Sequence, residues 1–460
     1  MALRATPLLK PEESRVHKAP VVVNERPLSF SAATLRTWGT KSALSLVDQG
    51  LTSGAGFIVN IYLARVLAPN VYGAFAVAFT GLLFVSGFHN VLLLEPLSVL
   101  GPSRHADRLV RFFRAQIAVH AVLVGVLSAA VLLSGILLWR VEPRNPLVGA
   151  ILGAAFALPF LLLLWLARRM CYVVQLPSTA VAGSGSYLGI TCAGLFVLAR
   201  MGRIGSFSAF ALIGLASACS TIPLFHKLGL WNRAPSPSGQ LSWREALRGN
   251  WTYGRWLVGS TVLYSISTQT QAFLVAGILG LGAAGILRAM QIPSLAMTQI
   301  VTATGLLILP AFSHDFGRGS TGRIRHKAVL VSASLGFVAL CFCLFLAIEA
   351  GRVEHVLFGG KYASDAWIMS VLALVPVANA CSLGYSMALR ASHRPDYDLA
   401  ANAIVAPISL ISSICFIRWW GISGVAASMA LCFALLNGIT FVCFSRFFSR
   451  NKLGVGMEND

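Results

Sequence analysis

Residues 42–101 read SALSLVDQGLTSGAGFIVNIYLARVLAPNVYGAFAVAFTGLLFVSGFHNVLLLEPLSVLG. The turn APN at 68–70 splits this stretch in two. Each part is long enough to cross a bilayer core, which takes about 20 mostly apolar residues at ~1.5 Å rise each. Yet Asp48, Gln49, Asn60, His89, Asn90 and Glu95 interrupt the apolar surface. An ionisable side chain facing lipid costs roughly 2.5–3.5 kcal/mol on insertion scales, so these groups must face other helices or water. On a helix Gln49, Ser53, Gly56 and Asn60 fall on one stripe, the pattern of a pathway wall.

The whole chain repeats this character. Of its 460 residues 56% are hydrophobic and 11% charged, with a mean hydropathy of +0.74. So few charges cannot coat a soluble protein of this size, and period-two alternation is absent, which excludes a β-barrel. The fold class is an all-α polytopic membrane protein. The net charge of +20 then reports loop placement, and no nucleic-acid partner is expected. The nine cysteines lie in or beside apolar runs without a CxxC pair and read as packing residues. The histidines show no metal-ligand spacing, so no metal is expected.

Twelve spans fit the apolar runs, near 42–66, 71–100, 112–138, 146–167, 178–201, 206–225, 251–279, 283–313, 328–351, 366–391, 395–419 and 421–446. With the N-terminus inside, most of the 36 lysines and arginines fall in the inner connections, as the positive-inside rule requires. Both termini are therefore expected in the cytoplasm. Residues 1–41 and 447–460 read as cytoplasmic tails, the first of them basic and disordered. The polar stretch 226–250 reads as a cytoplasmic linker, with SWREALRG at 242–249 as a short surface helix. It separates two six-helix halves, 42–225 and 251–446.

The halves also look like repeats. NIYLARVLAPNVYGAF at 60–75 lies over AFLVAGILGLGAAGIL at 272–287, pairing Ala64 with Ala276, Leu67 with Leu279 and Gly73 with Gly285. GRIGSFS from Gly202 likewise matches GISGVAA from Gly421. Six is even, so the halves are parallel, related by a pseudo-two-fold along the membrane normal, with a central cleft between them.

LVDQGLTSGAGFIVNIYLARVLAPNVYGAFA at 46–76, FGGKYASDAW at 358–367 and WWGISGVAASMA at 419–430 together resemble the polysaccharide transporters and O-antigen flippases. These belong to the multidrug/oligosaccharidyl-lipid/polysaccharide exporter superfamily. The resemblance implies a flippase that moves a polyprenyl-diphosphate-linked oligosaccharide to the outer leaflet of a bacterial inner membrane by alternating access, for surface polysaccharide assembly. It implies membrane lipid as surroundings, and a polysaccharide polymerase and glycosyltransferases of the same pathway as partners. The alternatives are a cation-coupled multidrug exporter of the same superfamily and a membrane-embedded glycosyltransferase or ligase. No P-loop, HExxH or GxSxG motif is present, so a transporter without enzyme activity or cofactor is expected, coupled to H+ or Na+ if to any ion.

The candidate substrate-binding residues are those that suit a sugar diphosphate. Arg255 toward the inner mouth and Arg288 toward the outer are cations within span interiors that otherwise hold few. Gln49, Asn60, Trp256, Tyr264, Gln271, Gln291 and Gln299 supply amides and rings, which bond and stack on sugars. The competing role for each is glue between helices. Asp48 and Glu95 are candidates for cation coupling, if they are neighbours. Their alternative is structural: Asp48 in the first turns of a helix, favoured by the dipole, and Glu95 snorkelling or paired to a loop arginine.

Overall fold

The computed structural model describes residues 32–231, 241–317, 321–392 and 396–454. Those from Ser42 onward form one compact unit, separate from the stretch up to Lys41. No strand occurs among the described residues. The helices are α1 (Ala32–Val66), α2 (Pro69–His89), α3 (Glu95–Arg104), α4 (Leu109–Val141), α5 (Pro146–Val173), α6 (Pro177–Arg200) and α7 (Ser206–Lys227) in the first half. The second half contains α8 (Trp243–Ile278), α9 (Leu281–Gly317), α10 (Thr321–Phe358), α11 (Ile368–Leu372), α12 (Leu374–Ala391) and α13 (Asp396–Gly454). Eight described stretches are long and apolar enough to cross a membrane, and the last of these, Leu399–Ser449, has the length of two crossings.

Local chemistry sets the helix ends. Proline begins α2, α5 and α6, where its missing N–H costs nothing. Asn145 caps α5 by accepting from the Leu147 amide at 2.9 Å, and Ser242 caps α8 by accepting from Arg244 at 3.3 Å. That cap makes SWREALRG the first turns of α8 and not a separate surface helix. Helix α1 already starts at Ala32, so Asp48 lies mid-helix, where the helix dipole cannot be what favours it. A π-turn at Asn90–Leu94 joins α2 to α3 within one crossing. Gly421, at φ 59° and ψ −133°, folds α13 into two crossings with no loop between them.

The repeat is visible in the packing. In the first half the fourth span, α5, lies against α2, α4 and α7; in the second its counterpart α12 lies against α9, α10 and α13. Gly202 and Gly421, aligned by sequence, both have left-handed φ, at 63° and 59°. The symmetry converges where the halves meet, between α2 and α9. A methyl group on Gly73 would fall 1.7 Å from the Leu281 carbonyl oxygen, and one on Gly285 would fall 2.5 Å from that of Pro69 and 3.2 Å from the Gly73 Cα. These contacts are reciprocal under the alignment that pairs Gly73 with Gly285 and Pro69 with Leu281. Such an isologous contact places the pseudo-two-fold axis between the two glycines. The architecture is two parallel six-helix repeats around a central cleft.

The end of the helices at which α7 finishes and α8 begins is the terminal face; the Gly73–Gly285 seam lies toward the other, the distal face. Helix α8 belongs to both halves. Near the terminal face Gln116 of α4 and Asn250 of α8 exchange two amide hydrogen bonds, at 2.9 and 2.8 Å, both side chains being fully buried. One turn on, Gly254 lets the α8 backbone press against the Val91 carbonyl of the π-turn, 2.5 Å from where a methyl would stand. Toward the distal face, Gln271 of α8 bonds to Ser409 of α13 at 2.9 Å.

Candidate functional site

A cavity of about 230 Å³ opens in the cleft between α2, α8, α9, α12 and α13. Leu83 is its wall from the first half. The second half supplies Arg288, Gln291, Ser294 and Thr298 from α9, Tyr264, Thr268 and Gln269 from α8, and Asn379 from α12. Toward the terminal face it adjoins a hollow of about 360 Å³ that shares Tyr264, Thr298, Asn379 and Phe433 with it. Among the described residues, neither wall contains an aspartate or glutamate. The chemistry offered is one of hydroxyls, amides, a phenol and guanidinium groups.

Three of the sequence candidates, Arg288, Tyr264 and Gln291, therefore line the cavity together. Arg288 spans the halves, its Nε donating to Asn60 Oδ1 at 3.4 Å and its guanidinium lying 5.6 Å from the Phe79 ring centroid. Asn60 is buried as a relay: its amide donates to the Gly56 carbonyl at 2.8 Å while Oδ1 also accepts from Tyr72 at 3.4 Å. Gln291 donates to the Met429 sulfur at 3.4 Å. The remaining candidates lie elsewhere. Gln271 donates to the Ser267 carbonyl and to Ser409, joining α8 to α13. Gln49 is exposed and 3.4 Å from Ser53, Gln299 is half-buried off the cavity, and Arg255 is exposed on α8. The Trp256 side chain lies outside the described residues.

The distal end of α1 is held by the FGGKY segment. With Gly359 and Gly360 at φ 74° and 82°, the chain turns back sharply enough to aim Lys361 at the end of α1. Its ammonium donates to the carbonyls of Ala64, at 3.1 Å, and of Leu67, which no further helical turn satisfies. Tyr362 donates to Ala64 at 3.0 Å, and its own amide is received by the buried Glu354 carboxylate at 2.8 Å. Burial, then Glu354, pushes the phenol up to about 12, so it stays a donor. Replacing Lys361 by Met should weaken this latch by about 1.5 kcal/mol, the lower end of the range for charged hydrogen bonds because Lys361 is only half-buried. Faster amide exchange at 355–368 would report it; exchange identical to the wild type would show that Lys361 holds nothing.

The two carboxylate candidates are each met by an arginine of α5. Asp48, 1% exposed, accepts from Arg168 Nε and Nη2 at 3.2 and 2.5 Å, from Tyr172 at 2.6 Å and from Ser184 at 2.5 Å. Glu95 accepts from Asn90 at 3.1 Å and lies within electrostatic reach of Arg169. Asp48 and Glu95 are thus each matched to one of two successive arginines. Composition ended this span before Arg168; the helix runs on to Val173 and carries both arginines into the protein. The span interiors accordingly hold more cations than the sequence suggested, though Arg168 and Arg169 face acids and not the cavity.

A second buried polar group joins α2, α4 and α5. His89 Nε2 is 3.1 Å from His120 Nδ1, and His120 Nε2 is 3.2 Å from the Pro159 carbonyl. A carbonyl only accepts, so His120 carries its proton on Nε2 and His89 must donate from its own Nε2. Among the described residues no group of three or more potential metal ligands occurs.

The model of a family described as polysaccharide biosynthesis protein matches residues 189–366. No curated protein sequence matches the chain. Among solved structures, an inward-facing multidrug-resistance MATE transporter of the MOP superfamily is similar with a TM-score of 0.70 and 12% identity, covering 88% of this chain and 95% of that one. The lipid II flippase MurJ in an inward closed conformation gives 0.68 and 12%, covering 88% and 87%. A MOP-superfamily transporter from Pyrococcus furiosus, described as having a binding pocket of reverse polarity that suggests a different function, gives 0.60 and 13%, covering 89% and 95%. The chain is a multi-pass membrane protein with the fold of the MOP-superfamily transporters, and residues 189–366 match a family of polysaccharide biosynthesis proteins.

Proposed function

We propose that the chain is a flippase for a polyprenyl-diphosphate-linked oligosaccharide, moving it from the cytoplasmic to the outer leaflet of a bacterial inner membrane for surface polysaccharide assembly. In this reading the terminal face is cytoplasmic, the distal face is outside, and the Gly73–Gly285 seam closes the outer exit. The observation that carries it is the charge of the cleft: Arg288 stands among hydroxyls and amides in a wall without carboxylates. A diphosphate in a poorly hydrated place calls for such a guanidinium, which binds phosphate bidentately. The family match and the likeness to a lipid II flippase support it. A cation-coupled drug exporter would want an acid in that cleft. A coupling ion, H+ or Na+, acting at Asp48 would have to displace Arg168. The polymerase and glycosyltransferases of the same pathway are the partners this role requires.

A strain lacking the gene should lose its surface polymer and accumulate lipid-linked sugar on the cytoplasmic leaflet. Arg288→Gln should do the same at normal protein level, with Arg288→Lys restoring export only in part. Normal polymer in the deletion strain, accompanied by hypersensitivity to cationic drugs, would replace this reading with the exporter.

A further inference from the structure

Asp48 and Glu95, the candidate coupling acids, are engaged with arginines, but the histidine pair that joins α2, α4 and α5 has a nitrogen to spare. His89 is fully buried and His120 is 4% exposed. Their bonds leave each ring one proton, on Nε2: His89 donates to His120, and His120 donates to the Pro159 carbonyl. Both nitrogens of His120 are thereby used. His89 Nδ1 is then an acceptor, and it has no hydrogen-bond partner among the described residues. A crosslink between helices asks only for an amide or a hydroxyl, and it gives no reason to leave a basic nitrogen unpaired in the interior. His89 Nδ1 is therefore the atom that can take a proton without breaking either bond of the chain. The elements around the pair bring few other charges. Helix α5 has no ionisable side chain between Pro146 and Ala167; α3 brings Glu95, α4 brings Arg111 and Arg114 toward its start, α8 brings Tyr253 and Arg255, and α9 brings Arg288. Among the described residues, the ionisable group that acts electrostatically on His89 is His120. Helix α8 covers this part of α2, since a methyl on Gly87 would stand 3.0 Å from Thr261 Cγ2.

We propose that the His89–His120 pair is a proton-coupling site of transport, taking one proton at His89 Nδ1 when the distal face is open and releasing it when that face is sealed. In the state described here the Gly73–Gly285 seam is closed, and the hydrogen bonds of the pair call for two neutral rings. A charge on the pair calls for water, so the proton belongs to the other state. Protons then favour the distal-open state, because that state binds them better. The step makes one N–H bond from the Nδ1 lone pair and breaks no bond of the protein. A full cycle carries a proton from the distal to the terminal side while cargo moves the other way. This goes beyond the flippase reading and does not rest on it, since the coupling is the same whatever the cargo.

The test uses the full chain in lipid vesicles with the distal face outward, and protons as the ligand. In magnetic resonance of the wild type with nitrogen-labelled histidine, the N–H···N bond identifies the signals of the pair. They should pass from two neutral rings to a charged one as the pH falls from about 8 to about 5, the range in which histidine titrates. A membrane-impermeant maleimide should label Gln291→Cys faster at the acid end, once the pH dependence of its reaction with free cysteine is divided out. The expected change is about fivefold or more, the lower end of ordinary coupling. His89→Gln, whose amide can still donate to His120, should abolish this response. Gln116→Leu, which breaks the neighbouring crosslink of α4 to α8, should keep it. A pair that stays neutral over the whole range overturns the proposal. So does the same pH response in His89→Gln, or protonation of the pair without any change in labelling. The resonance measurement needs no variant and decides the matter if His89→Gln fails to insert. Polymer export in a strain lacking the gene bears on the flippase reading alone.

Discussion

Gly73→Ala is expected to force the distal seam open and to stop transport. The added methyl would lie 1.7 Å from the Leu281 carbonyl oxygen and 2.6 Å from its carbon, and backbone inside a helix cannot move aside as a flexible side-chain tip can. Helices α2 and α9 must part, which disfavours the sealed state by about 1–3 kcal/mol, the usual cost of overpacking. A bias of that size shifts a two-state equilibrium by roughly 5–150-fold. A membrane-impermeant maleimide applied from the distal side should therefore label Gln291→Cys much faster in the Gly73→Ala background. Because the contact is two-fold symmetric, Gly285→Ala should act in the same direction. Gly282→Ala is the control: its methyl meets only the Asn70 side-chain oxygen, at 2.6 Å, which can swing away. A strong effect at Gly73 with none at Gly285 would refute the symmetric seal.

The second large effect is expected at Arg168. Four hydrogen bonds converge on the Asp48 carboxylate, two of them from this guanidinium, whose side chain is 11% exposed. Arg168→Gln leaves a buried anion without its counter-charge, and breaking such a pair costs about 3–5 kcal/mol. Asp48→Asn should be milder, since Arg168 near the end of α5 can turn toward water. The double variant Asp48→Asn/Arg168→Gln should recover much of the loss, because no charge then remains buried. Melting of the purified protein checks this order. A double variant less stable than Arg168→Gln alone would show that the pair does not act as a unit.

The helical, membrane-spanning character of the chain and its repeat were legible because they are local signals. Apolar run length gives the first, and small residues at matching places give the second. Pairing Gly73 with Gly285 aligned residues that turn out to touch, although alignment alone does not say that equivalent residues meet at the axis. The site was only partly legible, since helical periodicity tells which residues share a face and not what that face meets. Gln271 and Tyr264 sit on one stripe of α8, yet Gln271 is turned into Ser409 while Tyr264 faces the cavity. Arg168 and Arg169 looked like loop cations, because composition places a helix end where the apolar residues stop, whereas the backbone continues as long as partners are present for its charges. The π-turn at Asn90–Leu94 has no signature of its own in the residues.

Helix α8 makes the covalent junction and the mechanical junction of the halves two different places. The chain passes from one half to the other ahead of Trp243, but the helix that follows is fastened to the first half at Asn250 and Gly254 and to the second at Gln271. It behaves as a torsion bar clamped at both ends. A rocking motion about the Gly73–Gly285 point must either tear the buried Gln116–Asn250 amide pair, leaving two desolvated amides, or bend α8 between its clamps. Bending is the softer response, and Gly259 lies in that interval with no neighbour within 4 Å of where its Cβ would be. The bend between the halves is thus expected within α8, between its two clamps.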